Sequence, residues 1–180
     1  SVLSRGLGDV YKRQLESLSD KSFGGEGTPL LLSVRSGGRV SMPGMMDSVL
    51  NIGLNDSNVF QLAEAFNDER FALDSYRRLI QMYSNVVLGV EHERFEAVLA
   101  NKKRMDNVVS DADFNVDQLN WIINAYKNTV ERFTDSLFPQ EPYEQLTGAI
   151  EAVFNSWQNK RAVIYLSLIH ISEPTRQHAI

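Results

Sequence analysis

The sequence predicts an α+β fold that is mostly helical, with a strand and glycine-rich loop followed by about five helices and a β element resuming near the end. Three observations carry this. The apolar run PLLLSVR (29–35) is bounded by Pro and Gly, as a short strand is. The stretch SGGRVSMPGMMD (36–47) that follows has neither strand nor helix periodicity. From Asp56 onward apolar residues recur at i, i+3, i+4 and i+7, which keeps one face of a helix apolar.

Taken in order, a short polar segment ending in FGGEGTP leads into PLLLSVR, expected as a buried strand. After the glycine-rich loop, SVLNIG (48–53) reads as a second short strand. Asp56 or Ser57 can cap a first helix with Val59, Leu62, Ala63 and Phe66 on its inner face. A second helix, over DERFALDSYRRLIQMYSNVVLG (68–89), places Ala72, Tyr76, Leu79, Ile80, Tyr83 and Val87 on one stripe and stops at Gly89.

HERFEAVLANKKRM (92–105) is a third helix, with Phe95, Val98 and Leu99 inward and Lys102, Lys103 and Arg104 suited to its C-terminal end. NVVSDADFN (107–115) reads as a polar connection. A fourth helix buries Leu119, Ile122, Ile123, Tyr126, Val130 and Phe133. FPQEP breaks the chain, and Pro142 suits the first turn of a fifth helix bearing Leu146, Ile150, Val153, Phe154 and Trp157. RAVIY (161–165) has the character of a starting strand.

The two ends stand apart from this pattern. Read as codons on opposite strands, Ser1 through Gln14 pair without a break against Ala179 back to Leu166: Gln14 with Leu166 as CAG and CTG, Arg13 with Ser167 as AGA and TCT, Lys12 with Leu168 as AAG and CTT. Such pairing points to one DNA element read in both directions, and it resembles the transposase adapter of sequencing libraries. Residues 1–14 and 166–180 are therefore expected to be adapter-derived and foreign to the fold. The expected organisation is a strand and nucleotide loop over 15–55, a helical subdomain over 56–160, and the start of a truncated strand at 161–165. Setting the ends aside takes four basic and two acidic residues from totals of 18 and 23, leaving 14 against 21, a formal charge of −7.

Composition bounds the function classes. With 43% hydrophobic and 23% charged residues the chain has the balance of an ordinary soluble domain, and no apolar run is long enough for a bilayer, so a cytoplasmic protein without a membrane partner is expected. The absence of Cys excludes disulfides and thiolate metal sites. An acidic balance argues against a nucleic-acid partner, which basic phosphate contacts would hold.

The loop carries the strongest chemical signal. Glycine lets backbone N–H groups approach a phosphate, and Arg35, aimed by the end of a strand, can give its oxygens a planar bidentate contact. An ordinary mobile loop remains the competing reading, since neither GxxxxGK[ST] nor GxGxxG is present. Met45 and Met46 suit either gap filling or a wall against a flat base. Asp47 suits a turn as well as a metal contact. His92, between Glu91 and Glu93, reads as a solvated residue. No Ser/His/Asp triad or His-rich metal spacing occurs.

Over PLLLSVRSGGRVSMPGMMDSVLNIGLND, and again over ERFALDSYRRLIQMYSNVV and FPQEPYEQLTGAIEAVFNSWQNKRAVIY, the sequence resembles the pyruvate, phosphate dikinase family, in its N-terminal nucleotide-binding domain of the ATP-grasp type. The loop RSGGRVSMPG separates it from the related water dikinases, which typically have RSSATAEDLP there. The resemblance implies an enzyme converting ATP, phosphate and pyruvate to AMP, diphosphate and phosphoenolpyruvate through a phosphohistidine on another domain of the same parent chain, the parent being a homodimer that uses Mg2+. It implies Arg35 as the catalytic residue on the ATP phosphates. It also implies Ser36, Gly37, Gly44, Met45, Met46, Asp47 and Ser48 as ATP- or phosphate-binding, Ser48 standing where the family more often has Thr. The lysine and the magnesium ligands of the family's site would lie outside residues 15–165, so no metal ligand is expected within them and the chain alone is expected to be inactive. A helical interaction or regulatory module without nucleotide binding is the alternative.

Overall fold

The computed structural model describes residues 14, 16–25, 27–35 and 48–156. Within these, the elements are strand β1 (Leu32–Arg35), strand β2 (Ser48–Ile52), and helices α1 (Val59–Phe66), α2 (Glu69–Val86), α3 (His92–Asp106), α4 (Val116–Thr134) and α5 (Pro142–Ser156). The expected mix, mostly helical with a small β part, is what forms. RAVIY and Trp157 lie outside the described residues.

The two strands pair antiparallel, with Leu32 opposite Ile52, Val34 opposite Val49 and Arg35 opposite Ser48. The register slips between the first two pairs: two steps along β1 match three along β2. Asn51 absorbs the extra residue with a left-handed backbone, φ 60°, a conformation Asn tolerates better than most side chains. Because side chains alternate across a strand, Val49 and Ile52 would otherwise face opposite ways. The bulge turns both inward, and both are fully buried.

β1 departs from the buried strand expected of PLLLSVR. Leu32 and Val34 are half-buried against the core, whereas Ser33 and Arg35 are exposed. Among the described residues the sheet has two strands, so one face of β1 meets the helices and the other meets water.

α2 is the centre of the helical block, touching α1, α3, α4, α5 and β2. The stripe predicted for it is buried at Ala72, Tyr76, Leu79, Ile80 and Tyr83, with Val87 half-buried at the C-cap. Asp68 caps its start by accepting from the Phe71 N–H at 2.8 Å. Gly89, at φ 71°, lets the chain turn back so that the Val90 N–H reaches the Ser84 carbonyl at 2.9 Å.

Five details differ from the sequence reading, the first being that Phe66, expected on the inner face of α1, is exposed. Neither Asp56 nor Ser57 caps α1: Asn58 is the N-cap, and the Asn55 side-chain oxygen accepts the Ser57 and Asn58 N–H groups instead. The 107–115 connection is not merely polar, because its short 3-10 turn at Asp111–Asp113 seats Phe114 in the core, while Arg70 donates to the Asp111 and Phe114 carbonyls. Phe133 is exposed, with the Arg94 guanidinium 3.7 Å from its ring centroid. α5 is rolled from its expected face: Pro142, Gln145, Ala149, Val153 and Ser156 are buried, whereas Ile150 and Phe154 are exposed.

One charge pair is buried within α2. Arg77, 3% exposed, holds Asp74 through Nε at 2.9 Å and a terminal nitrogen at 2.8 Å, and also reaches Gln81 at 3.2 Å. Such a pair offsets its desolvation only when its hydrogen bonds are met, as they are here.

Candidate functional site

The site reading rests on the hairpin. Of the predicted site residues, Arg35 and Ser48 are described; Ser36, Gly37, Gly44, Met45, Met46 and Asp47 lie outside the described residues. The register brings the two described ones together, since Arg35 and Ser48 are direct partners at the last rung of the sheet. Residues directly opposite in an antiparallel pair leave the same face with Cβ atoms about 5 Å apart. A guanidinium and a hydroxyl therefore stand side by side at the neck from which the chain from 36 to 47 departs. Both residues are exposed, so a planar cation and a hydroxyl are accessible there, the pair of groups that suits an anionic oxygen.

What seats the hairpin is the junction NIGLNDSN (51–58). Gly53, at φ 109°, sits where a Cβ would come within 2.9 Å of the Phe23 ring and 3.2 Å of the Leu30 carbonyl. Gln145 of α5 is fully buried. Its side-chain oxygen accepts the Gly53 N–H at 2.9 Å, while its amide donates to the Leu54 carbonyl at 2.9 Å and the Pro139 carbonyl at 2.8 Å. Asn58 donates to the Gly53 carbonyl at 2.6 Å. Gln140 accepts from the Asp56 N–H at 2.9 Å, and its own carbonyl accepts from Asn55 at 3.0 Å.

An acid, a base and a phenol close this junction. Asp56 accepts the Tyr76 hydroxyl at 2.9 Å and pairs with Lys127, whose ammonium also lies 5.3 Å from the Tyr76 ring centroid. Burial, reinforced by the Asp56 charge and opposed by a bond from Gln140, holds the Tyr76 hydroxyl far above the usual tyrosine range. It stays protonated and donates.

Gln145, Asn58 and Gln140 escape a reading of sequence. Gln145 shares the α5 stripe with Ala149 and Val153, and a glutamine spaced with core residues is the one signal that could mark it. Two of its three partners are 91 and 92 residues away. His92 is a surface residue as expected, 3.4 Å from Glu96 and 54% exposed at its side chain. Lys102 pairs with Asp106 at 2.8 Å and Lys103 with Asp111 at 2.5 Å. Among the described residues no group of three or more His, Cys, Asp or Glu is placed to hold a metal, and no helix is long and apolar enough to cross a membrane.

A helical block that seats a two-stranded antiparallel sheet, with an arginine exposed at its last rung, defines a mostly helical α+β domain. Comparison with known proteins supplies its family. Residues 3–179 match the family described as pyruvate phosphate dikinase, AMP/ATP-binding domain, and the chain belongs to that family as part of its ATP-binding domain. The matched span enters both terminal segments set apart by codon pairing. Similar curated proteins are named pyruvate, phosphate dikinase: that of Rhizobium meliloti is 50% identical over 155 residues, covering 86% of this chain and 17% of the relative. That of Clostridium symbiosum is 49% identical over 152 residues, covering 84% and 17%. That of Entamoeba histolytica is 44% identical over 166 residues, covering 91% and 19%. The chain thus spans less than a fifth of the length of these relatives.

Proposed function

We propose that the β1–β2 hairpin is the phosphate-holding arm of an ATP site in a pyruvate, phosphate dikinase. Arg35 clamps the ATP phosphate oxygens, and the Ser48 hydroxyl adds a second donor on the same face. Ser36, Gly37, Gly44, Met45, Met46 and Asp47 line the loop that closes over the nucleotide, chiefly through backbone N–H groups. The observation that carries this reading is the cross-strand pairing of Arg35 with Ser48 at the neck of a glycine-rich stretch, in a chain of an AMP/ATP-binding family.

Phosphoryl transfer asks the protein mainly for positioning and charge compensation. A fixed guanidinium at the neck supplies both: it orients the polyphosphate and offsets charge as a phosphoryl group leaves. The parent reaction in this proposal converts ATP, phosphate and pyruvate to AMP, diphosphate and phosphoenolpyruvate by way of a phosphohistidine domain of the same polypeptide, in a cytoplasmic homodimer. Magnesium would accompany the ATP phosphates. Its protein ligands, in this proposal, belong to other parts of the parent. At less than a fifth of its relatives' length, the chain alone forms no phosphoenolpyruvate.

The test is calorimetry on the whole parent polypeptide. Arg35→Ala should weaken ATP binding by about 1.5 to 3 kcal/mol, the worth of a hydrogen bond to a charged group. Unchanged affinity would remove Arg35 from the site and favour a helical interaction module instead.

A further inference from the structure

We propose that Gln145 is a positioning residue for the nucleotide arm, setting from α5 the tilt of the hairpin that presents Arg35 and Ser48. This rests on the reading of that hairpin as the phosphate-holding element. Both polar atoms of the Gln145 side-chain amide are used: the oxygen on the Gly53 N–H, and the nitrogen, through its two N–H groups, on the Leu54 and Pro139 carbonyls. Its backbone N–H remains in the helix, donating to the Glu141 carbonyl at 3.0 Å. The side chain therefore joins three chain segments, the end of β2, the turn before α5, and α5 itself, in a site with no exposure to water.

Position gives this joint leverage. Gly53 follows β2 directly and Ser48 begins it, five residues away. At about 3.3 Å per residue the neck stands roughly 16 Å from the pin, so a tilt of about 10° at the pin moves the neck by about 3 Å. A displacement of that size takes a guanidinium out of hydrogen-bond range of the anion it holds, and losing a bond to a charged group costs about tenfold to a hundredfold in affinity. The hairpin is also held from its other side, where Val49 and Ile52 sit in the core and Asn51 donates to the Ser75 carbonyl of α2 at 3.2 Å. Loss of Gln145 therefore tilts the hairpin about its α2 contact and leaves the helical block standing.

Gln145 touches neither Arg35 nor Ser48; it acts through Gly53 and Leu54. The distinguishing measurement is steady-state kinetics on the full-length parent with Gln145→Met, which keeps length and removes all three bonds, and Gln145→Glu, which keeps an acceptor for the Gly53 N–H and loses the two-donor amide. The KM for ATP should rise between about tenfold and a hundredfold in Gln145→Met, and by at least as much in Gln145→Glu, whose second oxygen would face the Leu54 and Pro139 carbonyls, while the KM for pyruvate stays unchanged. Amide hydrogen exchange should quicken across 48–54 and not in α2 or α4. A merely structural role would lower kcat through loss of folded enzyme and leave the KM for ATP as it was, and that result overturns the proposal. If Gln145→Met does not fold, Gln145→Glu decides by the same criteria. Arg35→Ala is run alongside: an unchanged KM for ATP there sinks the nucleotide reading, and this proposal with it. A raised KM for ATP in Arg35→Ala beside unchanged Gln145 variants sinks the positioning role alone.

Discussion

The hydroxyl of Tyr83 occupies the place where a side chain at position 148 would begin. A Cβ built on Gly148 would stand 2.4 Å from that oxygen and 3.1 Å from a Val87 methyl. α2 and α5 approach as closely as they do because α5 has hydrogen where other residues have carbon, and the buried phenol fills the gap.

Gly148→Ala sets two effects against each other. Alanine favours the helix by up to about 1 kcal/mol over glycine, whereas overpacking a well-filled contact costs about 1 to 3 kcal/mol. At 2.4 Å the clash wins, and the chain should melt lower than the parent. Tyr83→Phe removes the offending oxygen and leaves the next ring atom at 3.4 Å, so Gly148→Ala should be tolerated better in that background. A double-mutant cycle followed by thermal denaturation checks this; additive losses would mean the two helices do not meet as described.

Three buried phenols set an alkaline limit on stability. Burial, followed by the charges of Glu144 and Glu151, pushes Tyr83 from 10.0 up to about 12. Burial raises Tyr76 and Tyr126 further still, Arg77 opposing it at Tyr126. A raised folded value means that the native state keeps a proton the unfolded chain loses. The resulting stabilisation is whole below pH 10 and drains away as pH climbs from 10 through 12 and beyond. Phenolate absorbance should lag that of free tyrosine over this range and then rise together with loss of helical circular dichroism. Normal titration of all three rings with the helices intact would contradict their burial.

Legibility in the sequence followed how many sides of an element are covered. α2 is packed by five neighbours, so its apolar stripe is unambiguous and Ala72, Tyr76, Leu79, Ile80 and Tyr83 could be read directly. α5 is apolar on two sides. Leu146, Ile150, Val153 and Phe154 suggest one face, yet of these Val153 alone is buried, beside Gln145 and Ala149 of the neighbouring one. Periodicity cannot make that choice, because it is decided by the small residues that permit close approach and by a glutamine whose partners lie at positions 53, 54 and 139. Of the candidate site, Arg35 and Ser48 were legible as strand ends. That they are cross-strand partners was not, because the register depends on an extra residue at Asn51 that no local signal announces.

That extra residue is itself testable. Asn51 holds φ 60° and donates from its side chain to the Ser75 carbonyl. Asn51→Gly keeps the backbone conformation and loses the bond, a cost of about 1 kcal/mol. Deleting residue 51 removes the bulge itself. Val49 and Ile52 then stand two places apart, on one face by plain alternation, and Ser48 stays opposite Arg35. Urea midpoints should therefore fall by about the same amount in Asn51→Gly and in the deletion, each losing the bond to the Ser75 carbonyl. In the whole parent polypeptide both variants should keep their ATP affinity, because neither separates the hydroxyl from the guanidinium. A deletion midpoint far below that of Asn51→Gly, or a loss of ATP binding confined to the deletion, would show that the bulge does more than accommodate one extra residue.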